Sequence, residues 1–219
     1  MAVSARPTAG RSALDRLLRP KSVATIGASS DPAKTAGRPL HYLRLHGFDG
    51  EIWPINPRYE EIDGLRCYGG VGDLPGPPDT AILLLGPAHT EQYLRDLSDL
   101  GCGSAIVIGG GYAEVGEDGA VRQNNLRKAA GTMRLLGPNT IGAVNLADGI
   151  TLSASGALDV EDRQVGKIAM VSQSGGILGS ILSRAAYRGV GLSHLVATGN
   201  EADLEVCDFV EYFMDDPAT

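Results

Sequence analysis

The chain has 219 residues, 43% hydrophobic, with 19 Lys and Arg against 26 Asp and Glu for a net charge of −7, enough to bury a core of one large or two small domains. The acidic balance and the scatter of the basic residues exclude a broad nucleic-acid surface, and no window reaches the roughly 18 apolar residues of a membrane span. Three cysteines far apart, Cys67, Cys102 and Cys207, fit neither a disulfide framework nor a zinc site, so a cytoplasmic protein without a metal is expected.

Residues 1–13, rich in Ala, Ser, Arg, Pro and Gly, read as a flexible leader, followed by a short helix at Leu14 to Leu18 before Pro20. Buried-strand patterns then recur at Val23–Ile26, Ile52–Ile55, Ala81–Leu85, Ala105–Ile108 and Arg134–Leu136. Helix-length segments around Arg38–His46, Thr90–Leu100 and Val121–Ala130 separate them. The alternation predicts an α/β fold, a Rossmann-like parallel sheet with helices on both faces. Its ligands belong at the carboxyl ends of the strands, where Gly27, Asn56, Gly86, Gly109 and Gly137 lie.

Residues 142–162 are poorly periodic. A second unit follows, with strands at Ile168–Val171 and Leu192–Ala197 and helices at Ile177–Tyr187 and Leu204–Met214. Two parallel strands cannot cover their own faces and leave an open edge. The expected division is therefore 14–148 for the first domain and 149–219 for a second that is cut short or completed by another chain, with an oligomer as one way to complete it.

The opening turn, Gly27-Ala28-Ser29-Ser30, joins an apolar strand to a helix, where free amides and the positive helix end favour an anion. It lacks the Gly-x-Gly-x-x-Gly spacing of a dinucleotide site, and the second strand ends in Asn56-Pro57-Arg58 rather than in an acid for a ribose hydroxyl. Lys34 and Arg58 suit a nucleotide carrying an additional ribose phosphate, for which NADP and coenzyme A both qualify; a solvated surface charge is the plain alternative for each cation. Asn139, after the fifth strand, can donate and accept hydrogen bonds at the pocket mouth. Val171-Ser-Gln-Ser174-Gly175-Gly176 repeats the logic of the first turn, and two anion sites suggest phosphoryl transfer, against a simple Ser cap with glycines for close packing.

Taken together, Ser22-Val-Ala-Thr-Ile-Gly-Ala-Ser29, Gly47-Phe-Asp-Gly-Glu-Ile-Trp-Pro-Ile-Asn-Pro57, Leu136-Gly-Pro-Asn139, Val171-Ser-Gln-Ser-Gly175 and Thr198-Gly-Asn-Glu-Ala-Asp203 resemble one family in order and spacing. It is the CoA-binding domain of the NDP-forming acyl-CoA synthetases, including ADP-forming acetate-CoA ligases and the α subunit of succinyl-CoA synthetase. The resemblance covers about residues 14–219 and implies a second domain of flavodoxin-like fold. It also implies that Gly27, Ala28, Ser29 and Ser30 turn against the CoA phosphates near Lys34, that Asn56, Pro57 and Arg58 border the adenosine, and that Gly86, Pro87 and Ala88 line the pocket.

By the same resemblance Glu114, in the Gly109–Gly116 loop, borders the thiol or acyl end, where it orients a reacting group unless it merely caps a helix or faces water. Ser174 and Gly175 would bind a phosphoryl group in transit from a phosphohistidine. Thr140 stands where the family usually has cysteine, which argues against a covalent role there. None of His41, His46, His89 and His194 has the glycine-rich context of the phosphohistidine, which is expected beyond Thr219; packing is their expected role, with His89 near enough to the strand ends to touch a ligand. The implied reaction joins a carboxylic acid to CoA through an acyl phosphate, with ATP, ADP and Mg2+ handled by an ATP-grasp domain or subunit, and this portion alone is expected to bind CoA without forming thioesters. A CoA-sensing regulatory module and an NADP-binding oxidoreductase fragment are the alternatives.

Overall fold

The structure, a computed structural model, describes residues 11–159 and 163–219. Of the expected leader, residues 1–10 lie outside the described part, while 11–13 are helical: α1 spans Arg11–Leu18. Its Leu14, Leu17 and Leu18 recur at i, i+3 and i+4 and are all fully buried.

The first sheet contains β1 (Ser22–Ile26), β2 (Glu51–Ile55), β5 (Thr80–Leu83), β6 (Ser104–Val107) and β7 (Arg134–Leu136). All pairs are parallel, in the order β2-β1-β5-β6-β7. A short hairpin of β3 (Glu61–Ile62) and β4 (Leu65–Arg66) lies beyond β2. The helices between strands are α2 (Arg38–Leu45), α3 (Pro87–Leu100) and α4 (Glu117–Ala129).

Side chains alternate between two cores, as the period of a strand requires. Ala24, Ile26, Ala81, Leu83, Ala105 and Val107 face one core, packed with Leu94 and Leu97 of α3 and Leu126 of α4. Val23, Ile82, Ile106 and Leu136 face the other, with the three leucines of α1 and Leu43 of α2. That second core also takes Ala143, Ile150, Leu152, Val196 and Phe209, so the second unit packs directly on the first sheet.

The stretch expected to lack periodicity holds a hairpin, β8 (Gly142–Asn145) and β9 (Ile150–Ser153). With β10 (Val165–Ser172) and β11 (Leu192–Ala197) it makes a four-stranded sheet in the order β10-β11-β8-β9. The pair β10 and β11 is parallel and β11 and β8 antiparallel, so the hairpin covers the edge of β11 that two parallel strands alone would leave open. Residues 148 and 149, the expected division, form the turn of this hairpin; the change of sheet falls between Leu136 and Gly142. Two helices, α5 (Gly175–Tyr187) and α6 (Val206–Met214), complete the second unit. Among the described residues no helix is long and apolar enough to cross a membrane.

Candidate functional site

The chain leaves β1 for β2 at one side of the first sheet and returns to β5 at the other, which places a crevice outside the carboxyl ends of β1 and β5. A cleft of about 370 Å³ lies there, lined by Gly27, Asn56, Pro57 and Arg58 together with Leu85, His89 and Tyr93. Gly27 has φ +79°, and a Cβ on it would stand 2.7 Å from Leu85 Cδ2 and 3.3 Å from the Leu84 carbonyl oxygen. Glycine is therefore required by the bend itself and by the wall of the cleft.

The turn is more committed to the protein than its sequence suggests. The Gly27 and Ser29 amides donate to Ile55 O and Ala36 O at 2.9 and 3.1 Å, and α2 starts only at Arg38, so neither amide nor the helix end meets an anion at Gly27. Ala28 is fully buried, and the Ser29 hydroxyl accepts from the Asp31 amide at 3.2 Å. Asn56 fixes the loop: its Nδ2 donates to Ala28 O at 2.8 Å and its Oδ1 accepts from the Arg58 amide at 3.1 Å. Lys34 and Ser30 lie outside the cleft lining, and Lys34 Nζ is 3.5 Å from Asp31 across an exposed turn. The cation brought to the cleft is Arg58, exposed at its rim. Pro87 and Ala88 open α3 beside a neighbouring cavity with Arg95 and Arg122, and a Cβ on Gly86 would meet nothing within 4 Å.

A second constellation lies at the seam between the units. Glu114 Oε1 accepts from the Gly111 amide at 2.5 Å and Oε2 from the Tyr112 amide at 3.1 Å, and Oε2 also accepts from Asn200 Nδ2. Burial pushes this carboxyl up, but the hydrogen bonds from Asn200, Gly111 and Tyr112 outweigh it and hold Glu114 below the usual carboxylate range. A carboxylate saturated in this way holds its own loop and is a poor proton acceptor; the cap position of α4 belongs to Gly116. Asn200 Oδ1 accepts from Asn139 Nδ2 at 3.2 Å, and Asn200 Nδ2 reaches Gln123 Oε1 at 3.1 Å. Backbone bonds from Asn200 to Pro138 O, Ala202 to Gly137 O and Thr198 to Ser172 O stitch the same loop to both sheets. Asn139 has φ +59°, a conformation that asparagine tolerates better than most side chains.

The start of α5 opens on this seam. Ser174 is its N-cap residue, yet its side chain makes no capping bond, so the simple cap expected as one alternative is absent. Asn139, Gln173, Ser174, Gly175, Gly176 and Asn200 line a cavity of about 430 Å³ there. Helix dipole and free amide donors at such a start favour an anion. Thr140 is buried, donating to Ala197 O at 2.5 Å and accepting from the Gly142 amide at 2.9 Å, which is a structural role.

Of the histidines, His89 alone lines the cleft, while His46 binds Thr151, His41 faces Asp159 and His194 is enclosed. Sequence reasoning missed Tyr93, Gln123 and the role of Asn200. Asn200 stood inside a recognised motif, but its partners lie on loops 61 and 86 residues earlier in the chain.

Residues 21–145 match the CoA binding domain family, and residues 165–219 match the succinyl-CoA ligase like flavodoxin domain. An ADP-forming acetate–CoA ligase of Methanocaldococcus jannaschii is 36% identical over 204 residues, 91% of this chain and 28% of that protein. A trans-feruloyl-CoA synthase from an unknown prokaryotic organism is 34% identical over 209 residues, 94% of this chain and 30% of that protein. Among solved structures, the apo form of the dinucleotide forming acetyl-coenzyme A synthetase 1 of Ca. Korarchaeum cryptofilum superposes with a TM-score of 0.88 at 33% identity, over 94% of this chain and 44% of that one. The chain thus spans under a third of the length of those two curated relatives. With a match that runs from β1 through β8, it belongs to the CoA binding domain family.

Proposed function

We propose that this chain is the CoA-binding portion of an NDP-forming acyl-CoA synthetase, divided into a CoA-binding unit over residues 14–148 and a succinyl-CoA synthetase-like unit over residues 149–219. The observation that supports the reading is a pair of openings in one chain: the crevice outside β1 and β5, with Arg58 at its rim, and the uncapped start of α5 beside Asn139 at the seam between the units. In the full reaction a carboxylate oxygen takes a phosphoryl group that came from ATP through a histidine, leaving ADP. The CoA thiolate then attacks the acyl carbon and phosphate departs. Mg2+ and ATP belong to an ATP-grasp domain or subunit, the proposed partner, and the setting is cytoplasmic.

The residues of this chain divide the work. Gly27, Asn56 and Pro57 shape the crevice for the nucleotide tail of CoA, and Arg58 pairs with its ribose phosphate by charge-assisted hydrogen bonds. Ala28 and Ser29 hold the bend, with Ser30 and Lys34 flanking it, while Gly86, Pro87 and Ala88 border the path toward the seam. Ser174 and Gly175 cradle the phosphoryl group, Asn139 orients ligands between the openings, and Glu114 keeps the Gly109–Gly116 loop in place.

Calorimetric titration tests the reading: CoA binds, NADP does not, and Arg58→Ala weakens CoA about tenfold while leaving dephospho-CoA unchanged. Tight NADP binding without a CoA signal overturns it, and an equal loss for both forms of CoA moves Arg58 away from the ribose phosphate.

A further inference from the structure

The reading above leaves a cavity beside the start of α5 without an occupant. It measures about 650 Å³ and lies between α2, the Ala154–Ala157 segment and the first turns of α5, sharing Asn139, Gly175 and Gly176 with the cavity at the start of that helix. Its volume falls within the roughly 300–1,000 Å³ of small-molecule sites.

One cation faces it. Arg38 is half-buried, and two of its guanidinium nitrogens donate to Ala154 O at 3.2 Å and Ala33 O at 3.4 Å. No carboxylate pairs with it among the described residues. Guanidinium has five N–H donors, so among the described residues most of its donors and its charge are left for a ligand, while the two carbonyls already fix the direction of the fork. Gly156 lies against the guanidinium: a Cβ there would be in ordinary contact with Arg38 Cζ at 3.6 Å. The remaining wall is mixed, with Ile108 and Ile141 on the apolar side and Ser180 and Ser183 on the polar side. A cation held in place beside an apolar wall matches a ligand with one anionic head and a hydrocarbon body. Inorganic phosphate has no use for the isoleucines.

We propose that this cavity is the site of the organic acid substrate, with Arg38 paired to its carboxylate and Ile108 and Ile141 against its carbon chain. The assignment rests on the synthetase reading, which places a carboxylate next to the phosphoryl cradle, and it adds the cavity and the residues that would hold that acid.

Saturation-transfer NMR titration of the chain with butyrate, inorganic phosphate and CoA in turn tests it. Arg38→Gln is expected to weaken butyrate about tenfold or more, Arg38→Lys to recover part of the loss, and Ser180→Leu to weaken butyrate by filling the space, with CoA affinity unchanged in all three. Ser180 is exposed and its hydroxyl bonds only the preceding helical turn, so that variant keeps the test alive if Arg38→Gln does not fold. Butyrate that binds wild type and Arg38→Gln equally, or fails to bind a wild type that binds CoA, overturns the proposal. So does a loss for phosphate with none for butyrate. Arginine-dependent butyrate binding by a chain that ignores CoA supports this site and overturns the synthetase reading instead.

Discussion

In the first sheet every residue of β5 and β6 is buried, enclosed by helices on one face and by α1, α2 and the second unit on the other. In the second sheet no residue of β10 is buried to that degree, Val165 and Ile168 are 59% and 55% exposed, and Ile177 of the adjoining α5 is 52% exposed. The difference shows where the free energy of folding is concentrated. A parallel sheet covered on both faces gains from every apolar side chain, whereas β10 and α5 gain from one face only. The proposed CoA crevice thus sits on the fully covered sheet, and the proposed phosphoryl cradle at the exposed β10–α5 side of the second unit.

The sharpest test of that contrast compares one core leucine with one helix isoleucine. Leu83→Ala, fully buried in β5, is expected to lower the unfolding free energy by about 2–5 kcal/mol. Ile177→Ala is expected to cost less than about 1 kcal/mol. Equal losses in urea unfolding would break the contrast. Gly27→Val comes next, at about 1–3 kcal/mol for a side chain forced to φ +79° against Leu85, together with loss of CoA binding in calorimetry. A folded Gly27→Val protein with wild-type affinity would remove the bend from the site.

Most of the first sheet was legible because its signals are local. Short apolar runs such as Val23–Ile26, separated by helix-length segments, mark the strands, and a glycine directly after β1 marks the bend. The hairpin of β8 and β9 escaped because Gly142-Ala-Val-Asn145 and Ile150-Thr-Leu-Ser153 break their apolar runs with Gly, Asn, Thr and Ser, although the fold buries all eight residues. Its pairing with β11 also depends on a strand some 50 residues later, which no local window contains. The site divides in the same way. Gly27 and Asn56–Arg58 converge because each follows a strand of one sheet, while the free amides expected at the turn are lost to Ile55 and Ala36, partners set by the fold.

The seam between the units is the next place to probe. Asn200→Ala removes the bonds to Glu114, Asn139 and Gln123 together, with an expected cost of about 1–2 kcal/mol. Because Asn200 is one of the groups holding the Glu114 carboxyl down, its titration in carboxyl NMR should move upward in the variant. A Glu114 titration that stays where it is would mean that its own loop amides suffice to hold the carboxylate.

The most gradual effect expected is a pH dependence that belongs to the second unit. His194 on β11 is fully buried, with Nδ1 3.5 Å from Asp216 and its ring 4.7 Å from that of Phe213, and Nε2 has no partner. Burial pushes the imidazole below its ordinary 6.5, and Arg19 pushes the same way against the pull of Asp216 and Asp148. The native state therefore holds a neutral ring where the unfolded chain begins to take up a proton. Stability is full above pH 6.5 and falls as the pH drops below it, by at most about 1.4 kcal/mol per pH unit for one group. Burial pushes Asp216 up, but the hydrogen bonds from Arg19 and the Ala218 amide and the charge of Arg19 together hold it low, so its contribution is lost only in a more acidic range. Urea unfolding between pH 7.5 and 5 should show the loss in wild type and not in His194→Gln, while the acid limb below about pH 4 persists in both. The same slope in both proteins would assign the upper window to another group and leave the enclosed ring without a part in it.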